Sequence, residues 1–295
     1  MPDLRTALAA GPVVLDGGLG TTLEAAGHDL SGDLWSARVL AETPAAVRAA
    51  HARYAAAGAD VLTTCSYQIG FDNLAVAGFD AAQTRRLLHV AVRVAREGAA
   101  EAERDAWVAA SVGPYGATRA DGSEYTGDDG LSVAELERWH RRRLEAIVDA
   151  EPDVLAIETI ASPAEAEAVA RAVEGIGIPS WIALSASSSA FDTASLRATL
   201  AASARVAGVI AVGVNCCPPD TVASALADPV GVPFVVYPNS GETWDAAART
   251  WTGDPGLPLA DLDDWLAAGA RLIGGCCRTT PDDIAVLAGR LHAPR

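Results

Sequence analysis

The chain has 295 residues, 22 Lys+Arg against 38 Asp+Glu, and a formal net charge of −16, which is length enough for one large domain with a buried core. Nucleic acid and anionic membrane surfaces are excluded as partners, because neutralising phosphates takes clustered cations and no basic face is expected of so acidic a chain. No apolar run reaches the roughly 18 residues of a membrane span, and Met1-Pro2-Asp3-Leu4-Arg5 does not read as a secretory signal. Five cysteines, an odd count, argue against a disulfide framework, so a cytoplasmic protein with reduced thiols is expected.

Eight short apolar runs alternate with helix-like stretches, the pattern of βα units around a parallel sheet. The first, Val13-Val14-Leu15, exits into Asp16-Gly17-Gly18. A predicted helix from Pro44 to Ala57, with proline in its first turn and Gly58 past its end, leads to Val61-Leu62-Thr63 and then Thr64-Cys65-Ser66-Tyr67. Trp107-Val108-Ala109-Ala110 runs toward Gly113-Pro114-Tyr115, and Val154-Leu155-Ala156-Ile157 delivers Glu158-Thr159. Trp181-Ile182-Ala183-Leu184 ends at Ser185, and Ile210-Ala211-Val212-Gly213-Val214 at Asn215-Cys216-Cys217. Phe234-Val235-Val236 is followed by Tyr237-Pro238-Asn239, and Arg271-Leu272-Ile273 by Gly274-Gly275-Cys276-Cys277. Eight such units predict a single (β/α)8 TIM barrel domain over residues 1–295. Its active site is expected at the C-terminal ends of the strands, where the unusual polar residues are concentrated. Long polar exits at 20–43, 116–132 and 240–259 are candidate lids or substrate walls.

Three thiols, Cys216, Cys276 and Cys277, stand on two rim positions, and three thiolates leave a tetrahedral metal ion one open position, the layout of a catalytic zinc site. The competing readings are small buried core residues and a redox pair, the latter disfavoured because adjacent cysteines close a strained ring. Cys217 is expected to face away from Cys216, and Cys65 to be packing. Asp16 and Glu158 could together grip an ammonium group; the alternative for Asp16 is a turn or cap residue. Glu158 leaves a buried strand, where a charge is costly without a partner. Gly274-Gly275 ahead of Thr280-Pro281-Asp282-Asp283 invites a phosphate-site reading, but the two aspartates would repel phosphate and fit a capped helix start instead. Trp35, Tyr67, Tyr115, Tyr237 and Trp244 are rings on or near the exits, able to hold a sulfonium or quaternary ammonium by cation–π attraction. Arg141-Arg142-Arg143 reads as a solvated or salt-bridged helix stretch, and the five histidines show no metal spacing.

Taken together, Leu15-Asp16-Gly17-Gly18-Leu19-Gly20-Thr21, Ser111-Val112-Gly113-Pro114-Tyr115-Gly116, Ile157-Glu158-Thr159, Gly213-Val214-Asn215-Cys216, Tyr237-Pro238-Asn239-Ser240-Gly241-Glu242 and Ile273-Gly274-Gly275-Cys276-Cys277-Arg278-Thr279-Thr280-Pro281 resemble the zinc-dependent homocysteine S-methyltransferases. The branch using S-methylmethionine is the nearest. The resemblance runs through almost the whole chain. It implies Zn2+ on Cys216, Cys276 and Cys277, the homocysteine amino group at Asp16 and Glu158 beside Gly17, and Asn239 as a neutral group at the fourth metal position. It also implies a donor pocket lined by Trp35, Tyr67 and Gln68. The activity implied is methyl transfer from a sulfonium donor, S-methylmethionine or S-adenosylmethionine, to the L-homocysteine thiolate, with small molecules as substrates and no protein general base. Betaine as donor, a selenol acceptor, and a non-catalytic zinc or redox-sensing barrel are the alternatives.

Overall fold

The computed structural model describes residues 1–127, 130–245, 250–253 and 255–292. Among the described residues ten strands run in chain order: β1 (Val13–Val14), β2 (Val61–Thr63), β3 (Trp107–Val112), β4 (Val154–Ile160), β5 (Ser180–Leu184), β6 (Val209–Asn215), β7 (Phe234–Tyr237), β8 (Thr243–Asp245), β9 (Thr250–Thr252) and β10 (Ala270–Ile273). Each of the eight predicted runs is a strand. All eight are parallel, in the order β1-β10-β7-β6-β5-β4-β3-β2. The seam between the outer two is closed by a bridge between Leu15 and Val61 and by the Asp16 N–H donating to the Val61 carbonyl at 3.1 Å. The sheet is therefore a barrel with helices outside it, as the alternation of units predicts.

Strands buried on both faces need apolar side chains on both, and β4, β5, β6 and β7 are buried at every position. One set of side chains fills the barrel, among them Val13, Ala109, Ala156, Trp181, Ala183, Ala211, Val235 and Leu272. Helix Leu4–Ala10 sends Leu4 and Leu8 into this same cluster, stopping the N-terminal end of the barrel so that substrate access is left to the opposite rim. The alternate set, including Leu62, Val108, Ile157, Val212 and Val236, packs against the surrounding helices.

Helix Pro281–Leu291 begins as its capping sequence predicts: Thr280 Oγ1 accepts from the Asp283 N–H, while Asp283 Oδ2 accepts the Thr280 N–H at 2.8 Å. A carboxylate of the chain itself thus holds the position where a phosphate would sit. Gly274 serves packing, since a Cβ there would lie 2.6 Å from Leu15 Cβ and 2.7 Å from the Asp16 carbonyl.

The three long exits are more structured than their polar composition predicts. The first contains helices Leu19–Ala25 and Trp35–Glu42, the second of which buries Ala37, Val39 and Leu40. The exit from β3 holds two 3-10 turns, Tyr115–Thr118 and Ser123–Tyr125. The exit from β7 holds the antiparallel pair β8–β9; the Trp244 side chain lies outside what the structure describes.

His51, on helix Pro44–Ala56, is wholly buried, neither ring nitrogen has a hydrogen-bond partner, and burial pushes its pKa down to about 4. The unfolded chain binds this proton near pH 6.5 and the folded chain does not, so stability falls as pH drops from about 6.5 toward 4, by about 3 kcal/mol in total. Asp16 and Glu158, with raised pKa values, act in the opposite direction, so the difference between wild type and His51→Leu isolates the histidine. Urea unfolding at pH 7.5 and pH 5 is expected to show a smaller acid loss in the variant; equal losses would remove His51 as the cause.

Candidate metal centre and substrate pocket

The sulfurs of Cys216, Cys276 and Cys277 lie within 4.8 Å of one another. Strand β6 delivers the first with Cys216 in the left-handed region at φ 48°, a conformation costly for any residue with a side chain and one that concentrates at working sites. Cys216 thereby turns into the mouth while Cys217 enters the helix–sheet core, wholly buried, its thiol pushed up to about 11 by burial. The other two thiols follow β10 and are held by backbone bonds from the β7 exit: the Cys276 N–H donates to the Pro238 carbonyl at 2.8 Å and the Ser240 N–H to the Cys277 carbonyl at 3.0 Å. Cys65 stays apart, its thiol donating to the Ser36 carbonyl at 3.3 Å.

The donor set suits zinc. Two thiolates bonded at about 2.3 Å to one tetrahedral ion are about 3.8 Å apart, and the Cys216 and Cys277 sulfurs are 3.8 Å apart. Hydrogen bonds from Cys216 and Cys276 hold the Cys277 thiol well below the usual range. Asn239 is bound into the same corner: its Oδ1 accepts the Cys277 N–H at 3.2 Å and its own N–H donates to the Cys217 carbonyl at 3.0 Å. In this structure that oxygen therefore positions the backbone of a thiol. Glu242 braces the corner from outside through a paired contact with Arg278 at 2.9 and 3.0 Å.

Asp16 and Glu158 are buried carboxylates of this mouth. Asp16 leaves β1, is 4% exposed, and accepts the Thr63 N–H at 2.7 Å; burial pushes its pKa up to about 8. Gly17 and Gly18 let the following turn press on the β10 exit, since a Cβ at Gly17 would lie 2.9 Å from the Thr279 carbonyl oxygen and one at Gly18 2.7 Å from that of Cys276. Tyr54 locks this contact by bonding Thr22 at 2.9 Å, the Thr279 carbonyl at 2.9 Å and the Gly18 carbonyl at 3.0 Å. Glu158, at the C-terminal end of β4, is raised to about 7, by burial first, against the lowering effect of hydrogen bonds from Ser111 and Tyr237. Tyr237 in turn accepts from the Trp181 indole at 3.0 Å. Four strands thus fix one carboxylate. Thr159, the next residue, is held at φ 60° by a reciprocal pair of bonds with Asn215, at 2.7 and 2.8 Å.

The three residues predicted to line the donor pocket sit in different local environments. Tyr67 is half-buried, hydrogen-bonds the Thr159 side chain and covers Gly113, where a Cβ would lie 2.7 Å from its ring. Gln68 accepts from the Ser36 hydroxyl at 3.1 Å, and Trp35, the residue before Ser36, is 46% exposed.

Of the arginine stretch expected to be solvated or salt-bridged, Arg141 and Arg142 pair with Glu137 and Asp72, and Arg143 departs from the expectation. It is 1% exposed, and its guanidinium donates to the carbonyls of Gly113 at 2.9 Å, Ser66 at 2.7 Å and Tyr67 at 2.7 Å, tying the β2 and β3 exits together beneath the pocket. Sequence reading also passed over Tyr54, Ser111 and Glu124. Ser111 is the penultimate residue of β3, and a polar side chain at the end of an otherwise apolar strand was its available signal; Tyr54 and Glu124 carried none, each being an ordinary helix or loop residue until its neighbours are known.

Comparison with known proteins agrees with this geometry. A family model described as homocysteine S-methyltransferase matches residues 13–291. A homocysteine S-methyltransferase of Escherichia coli (strain K12) is 44% identical over 298 residues, covering 94% of this chain and 94% of its own length. Homocysteine S-methyltransferase 4 of Zea mays is 42% identical over 306 residues, covering 95% of this chain and 89% of its own length. The crystal structure of the homocysteine methyltransferase MmuM from Escherichia coli, in its metallated form, aligns with a TM-score of 0.84 at 39% identity, over 97% of this chain and 99% of that one.

Proposed function

This chain belongs to the homocysteine S-methyltransferase family, and from that we infer that it transfers a methyl group to the sulfur of L-homocysteine, giving methionine, with zinc held by Cys216, Cys276 and Cys277. The observation that carries the reading is three thiols within 4.8 Å of one another at the open end of a barrel whose mouth also buries Asp16 and Glu158. Zinc bound there supplies Lewis acidity that lets the homocysteine thiol ionise near neutral pH.

The chain's own groups do the rest. Asp16 and Glu158 bind the homocysteine ammonium, a role that suits two carboxylates whose pKa values are raised chiefly by burial. Ser111 and Tyr237 hold Glu158 in place, so the amino acid is oriented before reaction. Gly17 lets the substrate approach the backbone closely. In the transfer itself, the homocysteine sulfur attacks the methyl carbon, the bond from that carbon to the donor's sulfur breaks, and the electron pair returns to the donor, which leaves as a neutral thioether. Tyr67, Gln68 and Trp35 form the donor side of the pocket and exclude water from the cation. The preferred donor in this reading is S-methylmethionine, with S-adenosylmethionine second. No described helix is long and apolar enough to cross a membrane. We read residues 1–295 as one domain, and the five cysteines without a disulfide fit a reducing, cytoplasmic setting.

The test follows labelled methionine from isotopically labelled L-homocysteine and S-methylmethionine with reduced, zinc-loaded protein. Labelled methionine is expected. Its absence from protein that retains zinc would reject this donor, and absence with S-adenosylmethionine and betaine as well would reject the reaction.

A further inference from the structure

Glu124 sits on the 3-10 turn Ser123–Tyr125 in the exit from β3, and only 8% of it is exposed. Its Oε2 is buried without a hydrogen-bond partner, and among the described residues no arginine or histidine pairs with it. The Arg143 guanidinium donates to three backbone carbonyls. A carboxylate so placed is costly unless a cation arrives from elsewhere.

The turn is fixed over the thiols. The neighbouring Tyr125 hydroxyl is 3.7 Å from the Cys216 sulfur, which sets Glu124 one residue from a side chain that touches the cluster. Gly116 allows the turn to lie this low, because a Cβ there would be 2.5 Å from the Glu124 nitrogen; Gly127, at φ 67°, packs against the Ala161 carbonyl with a corresponding separation of 2.5 Å. Burial raises the Glu124 carboxyl against the lowering effect of a hydrogen bond from its own backbone, and no counter-charge offsets that burial.

We propose that Glu124 recognises the positive sulfonium centre of the methyl donor and so selects cationic donors over neutral thioethers. This rests on the reading of the chain as a methyltransferase acting at the three thiols. With Asp16 and Glu158 engaged by the homocysteine ammonium, Glu124 is the carboxylate beside the thiol cluster left for the second cation. The reacting methyl must lie close to the homocysteine sulfur, which places the sulfonium within the field of Glu124. Attack discharges the sulfonium, so the attraction is stronger in the bound ground state than in the transition state. Its loss weakens donor binding more than turnover.

The experiment compares wild type with Glu124→Gln, which keeps the shape and removes the charge. Calorimetric titration of zinc-loaded protein without homocysteine uses two probes, S-methyl-L-methionine and L-methionine, which differ by the charged methyl. Wild type is expected to prefer the sulfonium and E124Q to lose that preference by about tenfold. In turnover, donor KM is expected to rise about tenfold, with kcat within about twofold and homocysteine KM unchanged. The melting temperature is expected to equal or exceed that of wild type, because a buried unpaired charge is removed. An unchanged donor KM, equal loss of affinity for both probes, or an unfolded variant would overturn the assignment. Wild type that prefers the sulfonium yet makes no methionine would overturn the reaction while sustaining the role of Glu124; wild type without that preference would overturn the role.

Discussion

Cys216→Ala, Cys276→Ser and Cys277→Ser are each expected to lose bound zinc and to lower methionine formation by more than the roughly 100-fold typical of losing an outer partner of a metal site, while the barrel stays folded. The fold does not lean on these thiols: they lie beyond the ends of β6 and β10, past the ladders that pair Val212 through Asn215 with β7 and Ala270 through Ile273 with the same strand. Cys217→Ala is the contrasting variant. Its side chain belongs to the helix–sheet core, so it is expected to cost about 1 kcal/mol of stability and to keep both zinc and activity. Metal content by emission spectroscopy, circular dichroism and turnover on the four variants decide the matter. Zinc retained in Cys216→Ala and lost in Cys217→Ala would move the ligand to Cys217.

The largest effect on stability is expected at Gly213, in the middle of β6. A Cβ there would overlap the carbonyl oxygen of Val235 and lie 2.8 Å from its carbonyl carbon and 2.9 Å from its nitrogen. Those are backbone atoms of the neighbouring strand, paired with Gly213 in the ladder, so relief requires moving β6 from β7 and with it the segment that presents Asn215 and Cys216. Gly213→Ala is therefore expected to cost at least about 3 kcal/mol, a fall of about 2–4 °C in Tm for each kcal/mol in a chain of this size. Gly289, in helix Pro281–Leu291, has nothing within 4 Å of the same construction, and Gly289→Ala should hold or raise stability by up to about 1 kcal/mol. Thermal unfolding of both variants is the check, and a Gly213→Ala protein as stable as wild type would show that the strands separate without cost.

The sequence by itself determined the eight strands, the helices between them and the chemistry at their exits. A strand buried on both faces must be an unbroken apolar run, and a run such as Val154-Leu155-Ala156-Ile157 followed by Glu158 reports locally that burial ends in a charge. It likewise set apart Cys216, Cys276, Cys277, Asp16 and Glu158 by residue type and position. Only the tertiary structure decided which of these groups meet and what supports them. The three thiols converge because the parallel sheet order places β6, β7 and β10 side by side and long-range bonds such as Cys276 N–H to the Pro238 carbonyl fix their exits there. Arg143 looked like one of three solvated arginines, yet the carbonyls it satisfies belong to residues 30, 76 and 77 positions away. Glu124 and Tyr54 were equally silent, since the value of a carboxylate or hydroxyl depends on its neighbours. In a barrel those neighbours arrive from every strand, at sequence distances that local periodicity does not encode.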